Sequence, residues 1–306
     1  MSKRVLVVYY SQTGQLQNVL RSMMKPLEIS SEFEVTWLGL QSTENFVFPW
    51  SFWKFFDAFP ESVYGKPPSN KPFIIENKED FDVVIIGYQP WFLSPSLPIT
   101  AFMQSQEAKV VLKNKSVVTV IGCRNMWIEA HKDMKVLLQK CQATLIDNIV
   151  LRDQSGPLES FITTPRWMLT GKRDSFLGLS RAGILEKDIE ACERFGEAIA
   201  QGLREDKENT HLPLCQNLGA VCVDPRFIAS EKIGKRSFRI WGKLVLAFGK
   251  RGSWTRRPIL AVYVLFLILL IVSVVPINMG LQMIIRRVFK GKMDKMIAQI
   301  EIPSGR

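Results

Sequence analysis

Five consecutive residues carry the groups best suited to chemistry in this chain: Ser11, Gln12, Thr13, Gly14 and Gln15. They follow a continuous apolar run, 5–10, and open a segment of helical periodicity, 15–24. Two hydroxyls and the free N–H groups at a helix start converge on an anion at the positive end of the helix dipole. The turn has neither the lysine of a triphosphate loop nor the three glycines of a dinucleotide fingerprint. It predicts a site for a monophosphate.

Two more groups of candidate residues stand at similar places, each directly after an apolar run. Pro90, Trp91 and Phe92 follow the run 82–87. The second group begins at the last residue of the run 115–122 and consists of Gly122, Cys123, Arg124, Asn125 and Trp127. Trp91 or Phe92 could lie against a planar ligand, because an aromatic side chain offers contact area at little cost in entropy. The alternative is a proline-rich loop with its aromatic residues packed inward.

The elements that must position these residues alternate between strand and helix. Apolar runs predict five strands, at 5–10, 33–40, 82–87, 115–122 and 143–151. Helical spacing predicts helices at 15–24, 128–141 and 186–204. This alternation is typical of an α/β fold with a doubly wound parallel sheet, in which ligands bind at the carboxyl edge. All three candidate groups then meet at that edge.

The turn Tyr10–Gln15 resembles the phosphate loop of the flavodoxin family, and the likeness covers about residues 1–205. The resemblance implies a five-stranded sheet of order 2-1-3-4-5 that binds FMN. The three groups above would hold the phosphate, the flavin ring and the pyrimidine edge. The family commonly has a Thr or Asn two residues after the glycine, where this chain has Leu16.

Arg124 and Cys123 each have two readings in this context. Arg124 near N1 and O2 of the flavin would raise its reduction potential, because a fixed positive charge favours the reduced form. It could equally be a solvated surface arginine. Cys123 fits a small apolar filler better than a nucleophile, since no basic partner is close in the sequence.

Two insertions interrupt the predicted domain, at 41–72 and 152–185. The first contains an aromatic stretch, 46–64, which could line an apolar pocket, cover the flavin, or form a helix that packs on the sheet. The second is long enough for a functional role, but no catalytic constellation is readable in it.

The charge of the chain is divided unequally. Residues 1–205 hold 23 Lys+Arg and 23 Asp+Glu, whereas residues 206–306 hold 17 and 6, so the whole net charge of +11 lies in the last third. This excess flanks an apolar segment, which argues against a nucleic-acid surface and indicates anionic lipid.

The last third divides into three predicted parts. Residues 206–256 form a basic linker with an amphipathic stretch at 237–248, 257–286 a membrane segment, and 287–306 a basic tail. Basic residues at both ends of the segment allow either a hairpin at Pro276 or a single span. We expect attachment to the inner (cytoplasmic) membrane, with the flavodoxin-like domain in the cytoplasm, because no secretory signal is readable at the N-terminus.

The five cysteines show no CxxC spacing, so we expect reduced thiols and no metal site. The two histidines, His131 and His211, leave little scope for acid–base chemistry by the protein itself.

The whole chain resembles more closely the membrane-anchored, flavodoxin-like bacterial proteins labelled dialkylresorcinol-condensing enzymes, which occur with aryl-lipid and aryl-polyene biosynthesis. This resemblance implies an apolar aromatic or polyene substrate. A condensing enzyme would need a reactive cysteine beside a histidine, and the sequence shows no such motif.

The leading hypothesis is therefore a membrane-tethered FMN-dependent oxidoreductase or electron-transfer protein. It would take electrons from NAD(P)H or a protein reductant and pass them to an apolar small molecule or a quinone. A condensing enzyme and a non-catalytic membrane scaffold with a vestigial flavin site are the alternatives.

Overall fold

The computed structural model describes residues 2–78, 80–153, 155–156, 159–288 and 290–303. Four positions of the predicted tail, 289 and 304–306, and three of the second insertion, 154, 157 and 158, lie outside the described residues.

The centre of the fold is a five-stranded parallel sheet. Its strands, in chain order, are β1 (Lys3–Tyr9), β2 (Phe33–Gly39), β3 (Val83–Tyr88), β6 (Ser116–Cys123) and β7 (Thr144–Arg152). They lie side by side in the order β2-β1-β3-β6-β7, every neighbouring pair being parallel. Because β6 and β7 are the fourth and fifth strands of this sheet, the predicted order 2-1-3-4-5 is confirmed. The sheet is flavodoxin-like.

Helices cover both faces of the sheet, which explains why its strands read as continuous apolar runs. The alternation along β1 sends Leu6 and Val8 into one core layer and Val5 and Val7 into the other. The first layer lies under α4 (Leu97–Gln104), α5 (Gln106–Leu112) and α6 (Ile128–Lys140), and the second under α1 (Gln15–Glu28), α8 (Glu186–Glu190) and α9 (Glu193–Arg204).

The predicted single helix 186–204 is divided into α8 and α9 by a break at Ala191–Cys192. Helix α9 crosses α1 so closely that a Cβ on Gly196 would lie 1.8 Å from the carbonyl oxygen of Met23.

The two insertions form short helices. The aromatic stretch gives α2 (Phe52–Asp57) and α3 (Phe59–Tyr64), and the second insertion gives α7 (Ser160–Thr170). A small antiparallel pair, β4 (Pro90–Trp91) and β5 (Ser94–Pro95), follows β3.

Three helices complete the chain: α10 (Pro225–Ala247), α11 (Arg257–Val288) and α12 (Lys290–Glu301). Helix α10 packs on α3 and α6, and α11 packs along α10. Helix α11 runs without interruption through Pro276, so of the two predicted arrangements the hairpin at that residue is wrong. Within the described chain one segment, Trp254–Ser273, is long and apolar enough to cross a membrane.

Candidate functional site

The turn between β1 and α1 has the geometry of an anion site. Gly14 is the N-cap residue of α1, with φ +79°, and has no side chain of its own to accept a hydrogen bond from the helix. The Ser11 hydroxyl accepts from the Gln17 N–H at 3.3 Å, and the Thr13 hydroxyl from the Gln15 N–H at 3.5 Å. A Cβ placed on Gly14 would meet nothing within 4 Å. Open space therefore lies over the positive end of α1, bordered by two hydroxyls.

The glutamines of this turn have structural partners. The Gln15 side-chain amide exchanges two hydrogen bonds with the backbone of Ile184, at 2.9 and 3.1 Å, and Gln12 donates to the carbonyl of Phe46 at 3.2 Å. With its amide oriented to satisfy both groups, Gln89 donates to the Tyr10 carbonyl and accepts from the Gln12 N–H. These side chains hold the turn to its neighbours rather than facing a ligand.

The part of the site predicted to contact the flavin ring, which we call the ring end, begins at the β4–β5 pair. Phe92 and Leu93 turn the chain with positive φ, and Trp91 is almost buried. The Trp91 ring packs at 5.0 Å from Phe46, 5.4 Å from Trp50 and 5.8 Å from Tyr10. We call these four residues the aromatic cluster. The ring contacts that the sequence assigned to a flavin are here made by the protein itself.

Phe92 and Pro90 lie on either side of Trp91. The Phe92 ring faces the aromatic helices, at 5.1 Å from Phe55 and 5.7 Å from Phe59, whereas Pro90 is half-buried. The aromatic stretch therefore packs as helices against the loop after β3. The Trp50 indole N–H is buried in the cluster without a hydrogen-bond partner.

The third predicted loop, after β6, carries the cationic side chain of Arg124. The Arg124 guanidinium stacks on Phe161 at 4.0 Å from the ring centroid and donates to the Met126 sulfur at 3.4 Å. In the described part of the chain no carboxylate lies within 4 Å of it. Burial lowers the pKa of Arg124 to about 10, and Asp153 acts in the opposite direction. Arg124 is thus partly desolvated at the carboxyl edge rather than free in solvent.

The rest of this loop is structural. Gly122 and Cys123 end β6, the Asn125 side chain accepts from the Met126 N–H at 3.0 Å, and Trp127 is 1 % exposed. Trp127 lies in the core, which leaves only its backbone available to a ligand at this edge.

The thiols and histidines show no arrangement for condensing chemistry. Burial raises the pKa of Cys123 above its usual range, and the same cause lowers the pKa of His131 to about 3. Cys141, Cys192 and Cys215 are buried. The structure agrees with Cys123 as a filler and gives no support to the condensing enzyme.

The two insertions meet beside the phosphate turn. The backbone N–H of Trp50 donates to the Met168 carbonyl at 2.8 Å, and the rings of Phe48 and Trp167 are 5.9 Å apart. Asp153 accepts from the Gly183 N–H at 2.8 Å, which fixes the segment that pairs with Gln15. The insertions thus border the site from one side.

Sequence reasoning missed two residues that position the loops. Lys235 of α10 is buried and donates to the Leu93 carbonyl at 2.8 Å, to Ser94 and to Asp133 at 2.5 Å. Glu231, one turn earlier and 1 % exposed, accepts from the Glu129 N–H at the start of α6 at 3.0 Å. The sequence pattern that could have indicated these contacts is the spacing of the two residues: Glu231 and Lys235 carry opposite charges four residues apart, within a segment predicted to be a linker.

The residues present fit the phosphate of FMN. The start of α1, the Ser11 and Thr13 hydroxyls and the open space over Gly14 suit a dianion, and Arg124 supplies positive charge at the opposite loop. The aromatic residues suited to a flavin ring are also at this edge, but they are packed on one another. Two surface depressions, of about 470 and 290 Å³, lie elsewhere, along residues 67–73 and beside His211.

No family model and no curated protein matches this sequence. Among solved structures, a flavoprotein in complex with FMN from Lactobacillus acidophilus is 16 % identical, covers 49 % of this chain and 93 % of its own, and has a TM-score of 0.39. A flavodoxin from the domain Archaea is 12 % identical, covering 66 % and 99 %, with a TM-score of 0.36. Flavodoxin 1 from Bacillus cereus is 12 % identical, covering 65 % and 98 %, with a TM-score of 0.35. The fold assignment rests on the strand order of this chain.

Proposed function

We propose that this protein binds FMN at the carboxyl edge of the sheet and works at a membrane as a flavin-dependent oxidoreductase or electron-transfer protein. The observation that carries the proposal is the turn at Gly14, where two hydroxyls and open space lie at the start of a helix. This turn lies on the same edge of the sheet as Trp91 and Arg124, as a site with a phosphate end and a ring end requires.

The roles of the residues follow from their chemistry. The backbone N–H groups at the start of α1, with the Ser11 and Thr13 hydroxyls, would hold the phosphate. Trp91 and its aromatic neighbours would contact the ring, and Arg124 would stabilise negative charge at its pyrimidine edge. When bound, the flavin supplies the redox chemistry, which suits a chain that offers few acid–base groups.

The acceptor that we propose is apolar, either an aryl-lipid or polyene precursor or a quinone. The support is the aromatic stretch beside the ring end, where Phe52 and Trp53 of α2 are 42 % and 40 % exposed. The electron donor would be NAD(P)H or a protein reductant. The reaction that we propose takes place at the cytoplasmic membrane, with the sheet domain in the cytoplasm, and the apolar C-terminal helix with its basic flanks supports this.

The test is to titrate the purified full-length chain with FMN and to follow the quenching of flavin fluorescence. We expect Gly14→Ala to weaken binding at least about tenfold, because its Cβ enters the open space and its backbone is strained at positive φ. Gly178→Ala is a matched control: Gly178 has φ +78° and also meets nothing within 4 Å, but it lies in an exposed turn. Equal FMN affinity of the two variants would contradict the proposal.

Electron transfer is tested on the same preparation under anaerobic conditions. Loss of the oxidised flavin absorption on adding NADH or NADPH would identify the donor class, and its return on adding a quinone would identify the acceptor. Flavin that binds but reacts with neither pyridine nucleotide would favour a protein reductant.

A second candidate function, a membrane scaffold without flavin chemistry, is favoured by one observation. The aromatic cluster is closed, because Trp91 contacts three rings of the same chain. The titration separates the two functions: protein that is colourless and does not bind added FMN supports the scaffold.

A further inference from the structure

The outward face of α11 is an apolar stripe without a protein partner among the described residues. Val262, Leu265, Ile268, Leu269 and Val272 are between 53 % and 71 % exposed and recur at three- and four-residue steps. The opposite side of the helix is buried: Leu260, Tyr263 and Val264 pack with Phe59 and Val245. Between residues 259 and 272, the helix therefore packs on the protein core along one side and leaves an apolar stripe uncovered on the other.

Helix α10 extends this surface and adds charge to it. Three exposed apolar residues, Ile233, Ile240 and Leu244, recur on one stripe. Lys232, Arg236, Arg239 and Lys243 are exposed on the next stripe. Trp241 and Val245, which face α11, fall on the other side of the apolar stripe. By helical spacing, the apolar stripe lies between α11 and a row of four cations.

The residues just before and just after α11 both contact the domain that contains the sheet. At its start, buried Arg256 donates to Asp57 at 3.1 Å and to Glu61 at 2.7 Å. Beyond its end, Met293 and Ile297 of α12 are buried in a core layer of the sheet. Near the end of α12, Glu301 accepts from the Val223 N–H at 3.3 Å. The chain before α11 and the chain after it therefore lie on the same side of any bilayer that the helix touches.

We propose that this protein binds an anionic lipid surface through the outer face of the α10–α11 pair, with α11 lying flat in the interface and not crossing the bilayer. This inference rests on the membrane attachment in the proposed function and specifies its form. An apolar strip flanked by lysine and arginine is the pattern of an interfacial helix on anionic lipid. At the start of α11, the Arg257 guanidinium stacks on Trp254, which is 75 % exposed, and such a pair suits the headgroup region.

The first experiment is co-flotation of the full-length chain with vesicles of neutral phosphatidylcholine, with and without about a third phosphatidylglycerol. We expect binding to the anionic vesicles, and at least about tenfold weaker binding for Leu265→Lys combined with Leu269→Lys. The control combines Ile29→Lys with Ile74→Lys, which replaces two apolar residues that are 77 % and 87 % exposed on the sheet domain. Equal loss of vesicle binding in the two variants would overturn the proposal. So would a protein that forms dimers and does not bind vesicles.

The second experiment separates a flat helix from a span. Cys222, next to the residue that binds Glu301, is exposed and serves as an internal reference. In sealed membranes carrying Gln299→Cys, a membrane-impermeant maleimide should label positions 222 and 299 from the same side. Labelling from opposite sides would show that α11 crosses the bilayer and would refute the flat arrangement. FMN titration without vesicles reports on the flavin site separately, so the two proposals fail independently.

Discussion

The two ends of the candidate site are built in opposite ways. The predicted phosphate end is polar and open, with two hydroxyls at the start of α1 and free space over Gly14. The ring end is aromatic and closed, because Trp91 is held by Tyr10, Phe46 and Trp50. The comparison indicates that open space is already present at the predicted phosphate end, whereas the aromatic residues predicted to contact a ring pack on one another and stabilise the fold. Substitutions at the two ends should therefore separate ligand binding from stability.

The largest expected effect on stability is at the closed end. Trp91→Ala should lower the free energy of unfolding by about 3–5 kcal/mol, because it leaves a cavity among three rings. Trp254→Ala is the control, and we expect a change within about 1 kcal/mol since its side chain is 75 % exposed. Chemical denaturation measures both. Equal losses would show that the aromatic cluster contributes nothing to the fold.

A pH effect of intermediate size is expected where α10 contacts the ring end. Burial raises the pKa of Glu231 from its ordinary 4.5 to about 8, and the N–H bond from Glu129 opposes the shift. Between these values the unfolded chain has lost the proton and the folded chain keeps it, so stability falls as pH rises. Between pH 5 and pH 7 we expect a loss of about 2–3 kcal/mol relative to Glu231→Gln. Parallel pH profiles of the two proteins would contradict this.

The smallest expected effect on stability is at Arg124. Its guanidinium has no carboxylate within 4 Å among the described residues, so Arg124→Gln should change the free energy of unfolding by no more than about 0.5 kcal/mol. FMN affinity should nevertheless fall about fivefold or more if the guanidinium faces the ligand. Arg21→Gln is a suitable control, because Arg21 also stacks on an aromatic ring, that of Trp37 at 3.9 Å. Equal FMN affinities for the two variants would remove Arg124 from the site.

Local patterns predicted the sheet and the position of the turn between its first strand and first helix well. Continuous apolar runs marked strands covered on both faces, and the Ser-Gln-Thr-Gly turn between β1 and α1 needs only neighbouring residues to form. The aromatic stretch could be predicted as helical, but not its contacts, because Phe46 and Trp91 meet across 45 residues of chain.

The contacts of α10 were beyond prediction for the same reason. Lys235 binds the Leu93 carbonyl across a separation of 142 residues, and no local signal specifies that pairing. A charged pair in a basic segment indicated a solvated linker, whereas the tertiary structure buries both side chains against the loops of the site. The apolar composition of α11 suggested a span, whereas the docking of α12 on the sheet domain supports the flat arrangement proposed above.

The buried cluster of Arg256 with Asp57 and Glu61 limits how this chain can be shortened for biochemical work. A protein truncated before Arg256 to remove the apolar C-terminal helix would keep the acidic side chains of α2 and α3 buried but would lose the arginine that pairs with them. Such a fragment should express poorly unless Asp57→Asn and Glu61→Gln accompany the cut.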